Sequence, residues 1–528
     1  MAIMRTPGVY IVEKSAFPNS VVEAPTAIPA FIGITEKAVN SADPLRGKPW
    51  KITSMTEFQQ YFGGAPAPEF KLSVVDNPEK DASKTFYGIP SPDKSKLLRV
   101  EAPEVIFSLY YQMVMFFANG GGTCYIVSVG TYDEKSLIDK EKVAAALTAL
   151  KKEPEITMVL VPEAVSVDEC KDIQNQILAH CGEMMNRFAI LDVQPKSGDE
   201  RMDVQIETFR TNVGANFLSY GAAYYPWLNT SVLSDKEIDG TVLVWDYSAA
   251  APDLSAFFDP KSGFPKYFAD FFAEIAKGKK VVRPGQFDDT GAETVPAEIA
   301  DYTWDELAAM KNNLHNALLQ NLPGYQYIVN KVRERLNLLP PSAAMAGLYT
   351  MVDNTRGVWK APANVSVNYV NSPTENIDNA MQEDLNMPVN GKAVNAIRTF
   401  PGEGIKVWGA RTLDGNSQDW RYVNIRRTMI FLQESIKNAS RAYVFEPNEA
   451  NTWLNIKSMI SRFLCGVWKR GGLAGSTPED AYEVHVGLGD TMTGDDMLNG
   501  IMRITVLVAI IRPAEFIEIT FQQQMQKS

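Results

Sequence analysis

At 528 residues the chain is too long for one ordinary domain, so two to four are expected. A hydrophobic content of 45% with 10% aromatic residues is globular and supplies a sizeable core. Lys plus Arg total 51 against 63 Asp plus Glu, and the formal charge of −12 argues against general nucleic-acid binding, which wants a basic footprint.

The chain opens on a strand-like run, TPGVYIVE at 6–13, set between Pro7 and Pro18. The start MAIMRTPGVYIVEKS has neither an apolar h-region nor a small-residue cleavage site, so assembly in the cytosol without a signal peptide is expected. Further on, strand runs at 124–129, 156–161, 188–193 and 218–224 are separated by helical patterns at 140–151, 167–185 and 204–216. Strands divided by single helices imply βαβ units and a mainly parallel sheet, an α/β domain. From 227 to 300 the pattern breaks down. Asp259-Pro260 and Asp288-Asp289 mark turns, only 241–245 reads as a strand, and the stretch is expected to be a peripheral insertion. A helix returns at 304–322, with Leu307, Met310, Leu314, Ala317 and Leu318 on one stripe.

Pro340-Pro341 marks a boundary, followed by short strands at 347–352, 365–369 and 407–410. Two strong helices come next. The first, 422–443, carries Ile425, Met429, Leu432, Ile436 and Ala439 on one face. The second starts after Pro447, carries Trp453, Ile456, Ile460, Phe463, Val467 and Trp468, and stops at Gly471-Gly472. Strands at 482–487 and 502–511 close an α+β domain. In the last segment Ile517, Ile519 and Phe521 alternate with Glu518 and Thr520 behind Pro513, the period of a half-buried strand. Each terminal strand is either the edge of its own sheet or an arm that adds to a neighbour's sheet.

Catalytic constellations are not visible. His180, His315 and His485 are far apart and carry no His-x-x-x-His partner. Gly120-Gly121-Gly122 lies between helix and strand, the reverse of the order a phosphate loop needs, and reads as a helix stop with a tight turn. The run 471–477 follows a helix and has no Lys. Cys124, Cys170, Cys181 and Cys465 have no metal or redox spacing and read as small buried thiols. Asp288-Asp289 and Asp495-Asp496 sit in turn-like sequence. The apolar stretches 106–118 and 504–511 are too short to span a bilayer. No catalytic, cofactor or metal residue is assigned.

Seven segments in order carry a resemblance. TPGVYIVE is followed by TAIPAFIGITEKA at 26–38 and FFANGGGTCYIVSVG at 116–130. Then come PPSAAMAGLYTMVDNTRGVWKAPAN at 340–364, WRYVNIRRTMIFLQESI at 420–436, FEPNEANTWLNIKSMISRFLCGVWKRGGLAG at 445–475 and RPAEFIEITFQQ at 512–523. Together they resemble the contractile tail sheath proteins of phage tails, R-type bacteriocins and extracellular contractile injection systems. TAIPAFIGITEKA and the overall size lean towards the injection systems, with a phage tail sheath proper as the alternative.

The resemblance implies a multidomain structural subunit, α/β plus α+β. Its layout is an N-terminal strand arm (1–22), an α/β domain (23–339) with the insertion at 228–300, an inner α+β domain (340–511) and a C-terminal strand arm (512–528). It implies stacked hexameric rings around an inner tube protein, with baseplate and terminal cap proteins as partners. Neither nucleic acid nor direct membrane insertion is implied. Strand exchange falls to Val9, Tyr10, Ile11 and Val12 at one end and Phe516, Ile517, Ile519 and Phe521 at the other, with Pro18 and Pro513 as hinges. Arg427, Lys437 and Arg441, off the apolar face of the 422–443 helix, are the candidate tube contacts. The competing classes are an α/β enzyme or ligand-binding protein, with its site at the carboxyl ends of the parallel strands, and a non-contractile shell polymer.

Overall fold

The computed structural model describes residues 21–76, 86–134, 137–195, 201–283, 286–287, 293–295 and 298–519. Its centre is a nine-stranded sheet. The order is Val365–Ser366, Gly404–Val407, Asn395–Phe400, Gly221–Tyr225, Phe188–Asp192, Met158–Leu160, Pro29–Thr35, Cys124–Thr131 and Trp50–Ile52. The six strands from Asn395–Phe400 to Cys124–Thr131 run parallel. Trp50–Ile52 at one margin and the Gly404–Val407 and Val365–Ser366 pair at the other are antiparallel.

A parallel strand covered on both faces reads as an unbroken apolar run, and Pro29–Thr35 is buried at every position. Alternate side chains feed two cores. Phe31, Ile126, Leu160, Ile190 and Tyr224 point to one face. Ala30, Ile32, Val127, Val159, Leu191 and Ala223 point to the other. The helices Lys140–Leu150, Cys170–Met184 and Met202–Asn212 lie between the strands where the periodicity put them. The expected strand at 218–224 begins three residues later, because Leu218–Tyr220 is a single 3-10 turn ahead of Gly221–Tyr225.

Three sequence expectations need correction. The stretch 347–352 is not a strand but lies in the helix Ser342–Arg356. From Ser342 to Thr350 that helix is buried at every residue, so it has no polar face to betray a helical period. Its small residues let it lie against the helix Leu109–Ala118. A Cβ at Gly347 would stand 2.4 Å from the Phe116 carbonyl oxygen.

The stretch 228–300 is not a peripheral insertion. Leu243–Trp245 pairs in parallel with Phe70–Asp76 in a four-stranded sheet that also holds Lys96–Glu101 and Tyr87–Pro90. Leu228–Thr230 joins Leu338–Leu339 and Val370–Pro373. Phe268 and Phe272, on the unforeseen helix Phe264–Lys277, sit in the same core as the central sheet.

The boundary at 340 also runs through a sheet rather than beside one, since three central-sheet strands come from 365–407. A third core gathers Phe431, Leu432, Ile456, Ile460, Phe463, Leu464 and Val467 around the helices Val423–Ser440 and Ala450–Lys469. The first of these helices bridges the cores: Val423 and Ile430 pack on the α/β body, Phe431 and Leu432 on the C-terminal unit. A two-stranded antiparallel ribbon, Tyr482–His485 with Thr505–Val508, completes that unit.

Candidate assembly surfaces

The order of the parallel strands creates a switch point. Pro29–Thr35 lies between Met158–Leu160 and Cys124–Thr131, and a doubly wound fold ordinarily seats a ligand in the crevice there, at the strand ends. Here the chain fills that place with its own carboxylate. Glu163 follows the Met158–Leu160 strand and is wholly buried. One oxygen accepts the Ile34 N–H at 2.9 Å, and the other accepts the Ser108 and Leu109 N–H groups at 2.9 and 3.2 Å. Those last donors open the helix Leu109–Ala118, the position a bound anion would take. A Cβ at Gly33 would stand 2.8 Å from the Glu163 carboxylate, so the strand needs glycine at this approach.

The histidines occupy separate settings. His180 meets Arg187 at 2.8 Å, and burial with that cation holds it down to about 4. His315 meets the Tyr325 hydroxyl at 3.1 Å. His485 lies between Glu483 and Asp490, whose hydrogen bonds raise it. Among the described residues no three His, Cys, Asp or Glu side chains are grouped to hold a metal ion. No helix there is long and apolar enough to cross a membrane.

The C-terminal segment is tied down and then released. Ala474 N–H donates to the Ala509 carbonyl at 2.7 Å, and Asn424 Nδ2 donates to the Ile511 carbonyl at 3.1 Å. Four residues on, Glu515 is gripped. Arg411 Nε and Nη2 donate to its carboxylate at 3.1 and 2.6 Å, Asn386 Nδ2 at 2.7 Å and the Tyr422 hydroxyl at 3.0 Å. Burial alone would raise this carboxyl, but its donors, Arg411 foremost, outweigh it and hold the group below its ordinary value. Arg411 is itself fixed from behind: its N–H donates to Asn395 Oδ1 at 2.7 Å, and Asn395 Nδ2 donates to the Ala223 carbonyl at 3.2 Å. Pro513 therefore sits between two fastenings, and the described residues past Glu515, 516–519, are exposed. Phe516, Ile517 and Ile519 are 72%, 80% and 69% exposed. Val9, Tyr10, Ile11, Val12, Pro18 and Phe521 lie outside the described residues.

Where the N-terminal segment enters, Ala24 N–H donates to Ser435 Oγ at 2.9 Å and Glu23 pairs with Arg470. The ribbon beside it is open. Among the described residues neither strand has a further partner on its outer edge, and Leu507 is exposed.

Arg427, expected as a tube contact, is not on the surface. It is buried, and both of its terminal nitrogens reach Asp353, at 2.9 and 2.6 Å, while one also donates to the Thr26 carbonyl at 2.8 Å. The first two turns of the bridging helix are wedged between the body and the C-terminal unit, so a residue off the apolar stripe still faces protein. Lys437 is exposed and pairs with Glu434 at 2.7 Å, and Arg441 is exposed. The structure does not bring these three cations together on one surface.

Residues 416–524 match the phage tail sheath C-terminal domain family. A tail sheath protein of Vibrio phage KVP40 is 25% identical over 294 residues, covering 52% of this chain and 43% of that protein. The matched stretch thus spans less than half of that relative. Among solved structures, the fold is similar to the sheath complex of the extracellular contractile injection system PVC in its contracted state. There the identity is 25%, the TM-score 0.58, and 99% of each chain is covered. A chain of the anti-feeding prophage baseplate, 6-fold symmetrised, is 25% identical with a TM-score of 0.55, over 99% of this chain and 100% of that one.

Proposed function

We propose that this chain is a member of the contractile tail sheath family and the structural subunit of a contractile sheath. It polymerises around an inner tube and contracts to drive that tube through a target envelope. The observation that carries this is the end-to-end likeness to a contracted injection-system sheath, 99% of each chain. Curated phage relatives match over shorter stretches, which favours an injection system over a phage tail.

In this reading subunits form stacked hexameric rings, with baseplate and cap proteins at the ends. The α/β body faces outward and the C-terminal unit lines the inner wall. Neighbours are joined by the terminal arms, Val9–Val12 and Phe516–Phe521, which add strands to the open ribbon Tyr482–His485 and Thr505–Val508 of another copy. A two-stranded ribbon is marginal by itself, and added strands satisfy its outer N–H and C=O groups. Ile517 and Ile519, exposed in the single chain, would be covered there, each contributing roughly 1.5–3 kcal/mol.

Electron microscopy of particles holding the chain should show two sheath lengths, extended and contracted; one fixed length would overturn the contractile reading. Ile519→Pro removes a ladder donor at an exposed residue. The variant should remain a cooperatively folding monomer that does not polymerise. Collapse of the monomer itself would place this segment in its own domain.

A further inference from the structure

Where the N-terminal segment, the α/β body and the bridging helix meet, they enclose a cavity of about 30 Å³. The body lines it with two turns at the amino ends of parallel strands. One carries Pro154 and Thr157, between the helix Lys140–Leu150 and the strand Met158–Leu160. The other carries Asn186, between the helix Cys170–Met184 and the strand Phe188–Asp192. The N-terminal segment adds Ala24 and Pro25. The bridging helix Val423–Ser440 turns Ile430, Glu434 and Asn438 to it, a spacing of four that keeps them on one face.

The polar groups around this space do not satisfy one another. Asn186 is 6% exposed, and its Oδ1 has no hydrogen-bond partner. A buried acceptor left in that condition forfeits its hydration for nothing in return. Glu434 accepts from Lys437 Nζ on one oxygen at 2.7 Å, and its other oxygen has no partner among the described residues. Pro25 and Pro154 have no N–H to offer. The Thr157 hydroxyl is already engaged, accepting from the Ile28 N–H at 2.9 Å and donating to the Thr26 carbonyl at 3.0 Å. Asn438, whose side chain makes no hydrogen bond among the described residues, supplies an amide N–H donor. The lining thus offers two unmatched acceptors from opposite walls, one on the body and one on the helix.

Size and chemistry together select the occupant. A buried water needs roughly 10–15 Å³ of such space and two to four polar partners, and both conditions are met. We propose that the cavity is a structural hydration site. Its water donates one hydrogen to Asn186 Oδ1 and the other to the free Glu434 oxygen, and accepts from Asn438. It ties the bridging helix to the body beside the foot of the N-terminal segment, where Ala24 N–H meets Ser435 Oγ. The link holds whatever the chain assembles into.

A double-mutant cycle on the full chain tests it, together with a density map. Asn186→Leu keeps the branched shape and loses the acceptor, and Glu434→Met removes the carboxylate. No hydrogen bond joins the two side chains directly, so coupling between them points to a group between them. In urea denaturation each single variant should be destabilised. The double variant should lose less than the sum, by about threefold to thirtyfold in the unfolding constant. Additive losses would overturn the proposal. So would a stabilised Asn186→Leu, the result expected when an orphaned amide is removed from dry space. If a variant fails to fold, the wild-type map decides. At a resolution that shows ordered water it should hold a peak about 2.5–3.0 Å from Asn186 Oδ1, and an empty cavity there overturns the proposal. Melting that rises when sodium or potassium chloride replaces choline chloride would make the occupant a cation, and overturns it too.

Discussion

Glu515→Ala tests whether the C-terminal segment is fastened to the body at Glu515. The substitution removes every acceptor offered to Arg411 Nε, Arg411 Nη2, Asn386 Nδ2 and the Tyr422 hydroxyl. Arg411 is buried and keeps only the Asn386 carbonyl, at 3.1 Å from Nη1. Stranding one member of a buried pair costs about 3–5 kcal/mol. Glu515 is partly open to water, which can take over some of the donors, so about 2–4 kcal/mol is expected here. Amide exchange around Arg411 and Ile511 should accelerate by roughly 30-fold to 1,000-fold, while the central sheet keeps its protection. Replacing both partners, Arg411→Met with Glu515→Met, should recover most of the loss, because two apolar groups leave no stranded charge. Acid should act like the single substitution. The Glu515 carboxyl is held below its ordinary value of 4.5, so its contribution is present above that pH and is lost as pH falls through the depressed value. Unchanged exchange near Arg411 in Glu515→Ala, with polymerisation intact, would refute the fastening.

Two further expectations concern the body. Asp192 ends a central strand, is fully buried, and accepts the Ser342 N–H at 2.8 Å; burial pushes its carboxyl up from 3.8 to about 7. A raised acid favours the fold below the unfolded value and loses that advantage as pH rises through the folded one. Asp192→Asn, which can keep the Ser342 bond, should therefore flatten the fall in stability between pH 4 and 7 by about 4 kcal/mol, read by urea denaturation across pH. Arg427→Met should destabilise by about 3–5 kcal/mol, because Asp353 is left buried without its cation. Adding Asp353→Leu should restore most of that loss, whereas a surface role for Arg427 predicts almost no change in melting.

The parts of the fold legible in sequence are those whose environment is uniform along the element. Strands such as Cys124–Thr131 and Phe188–Asp192 are covered on both faces and read as apolar runs. The helix Ala450–Lys469 has one buried stripe and one wet face, and its period is plain. Ser342–Arg356 hid because it is buried all round from Ser342 to Thr350, which leaves a helix there no wet face to mark its period. The helix Phe264–Lys277 did leave a trace in the spacing of Phe264, Phe268, Phe271, Phe272 and Ile275, but Pro265 and the turn-rich flanks obscured it. Leu243–Trp245 pairs with a strand some 170 residues earlier, which no local pattern reveals. At the candidate assembly surfaces, Arg427 reads from sequence as a tube contact off the apolar stripe, and no local signal marks Glu515. Their partners, Asp353 and Arg411, lie 74 and 104 positions away, so only the folded chain brings them together.

The double fastening of the C-terminal segment also defines how tension would travel. A pull on the chain beyond Phe516 arrives first at Glu515, passes to the Arg411 guanidinium, and moves along the Arg411 backbone to Asn395 and the Ala223 carbonyl. Ala223 sits within Gly221–Tyr225, flanked in the sheet by Phe188–Asp192 and Asn395–Phe400. The ribbon is bypassed. Force applied to the tail would be borne by the nine-stranded sheet and spread over several strands at once, so traction there would shift the body as one piece instead of unzipping the two short strands nearest to it.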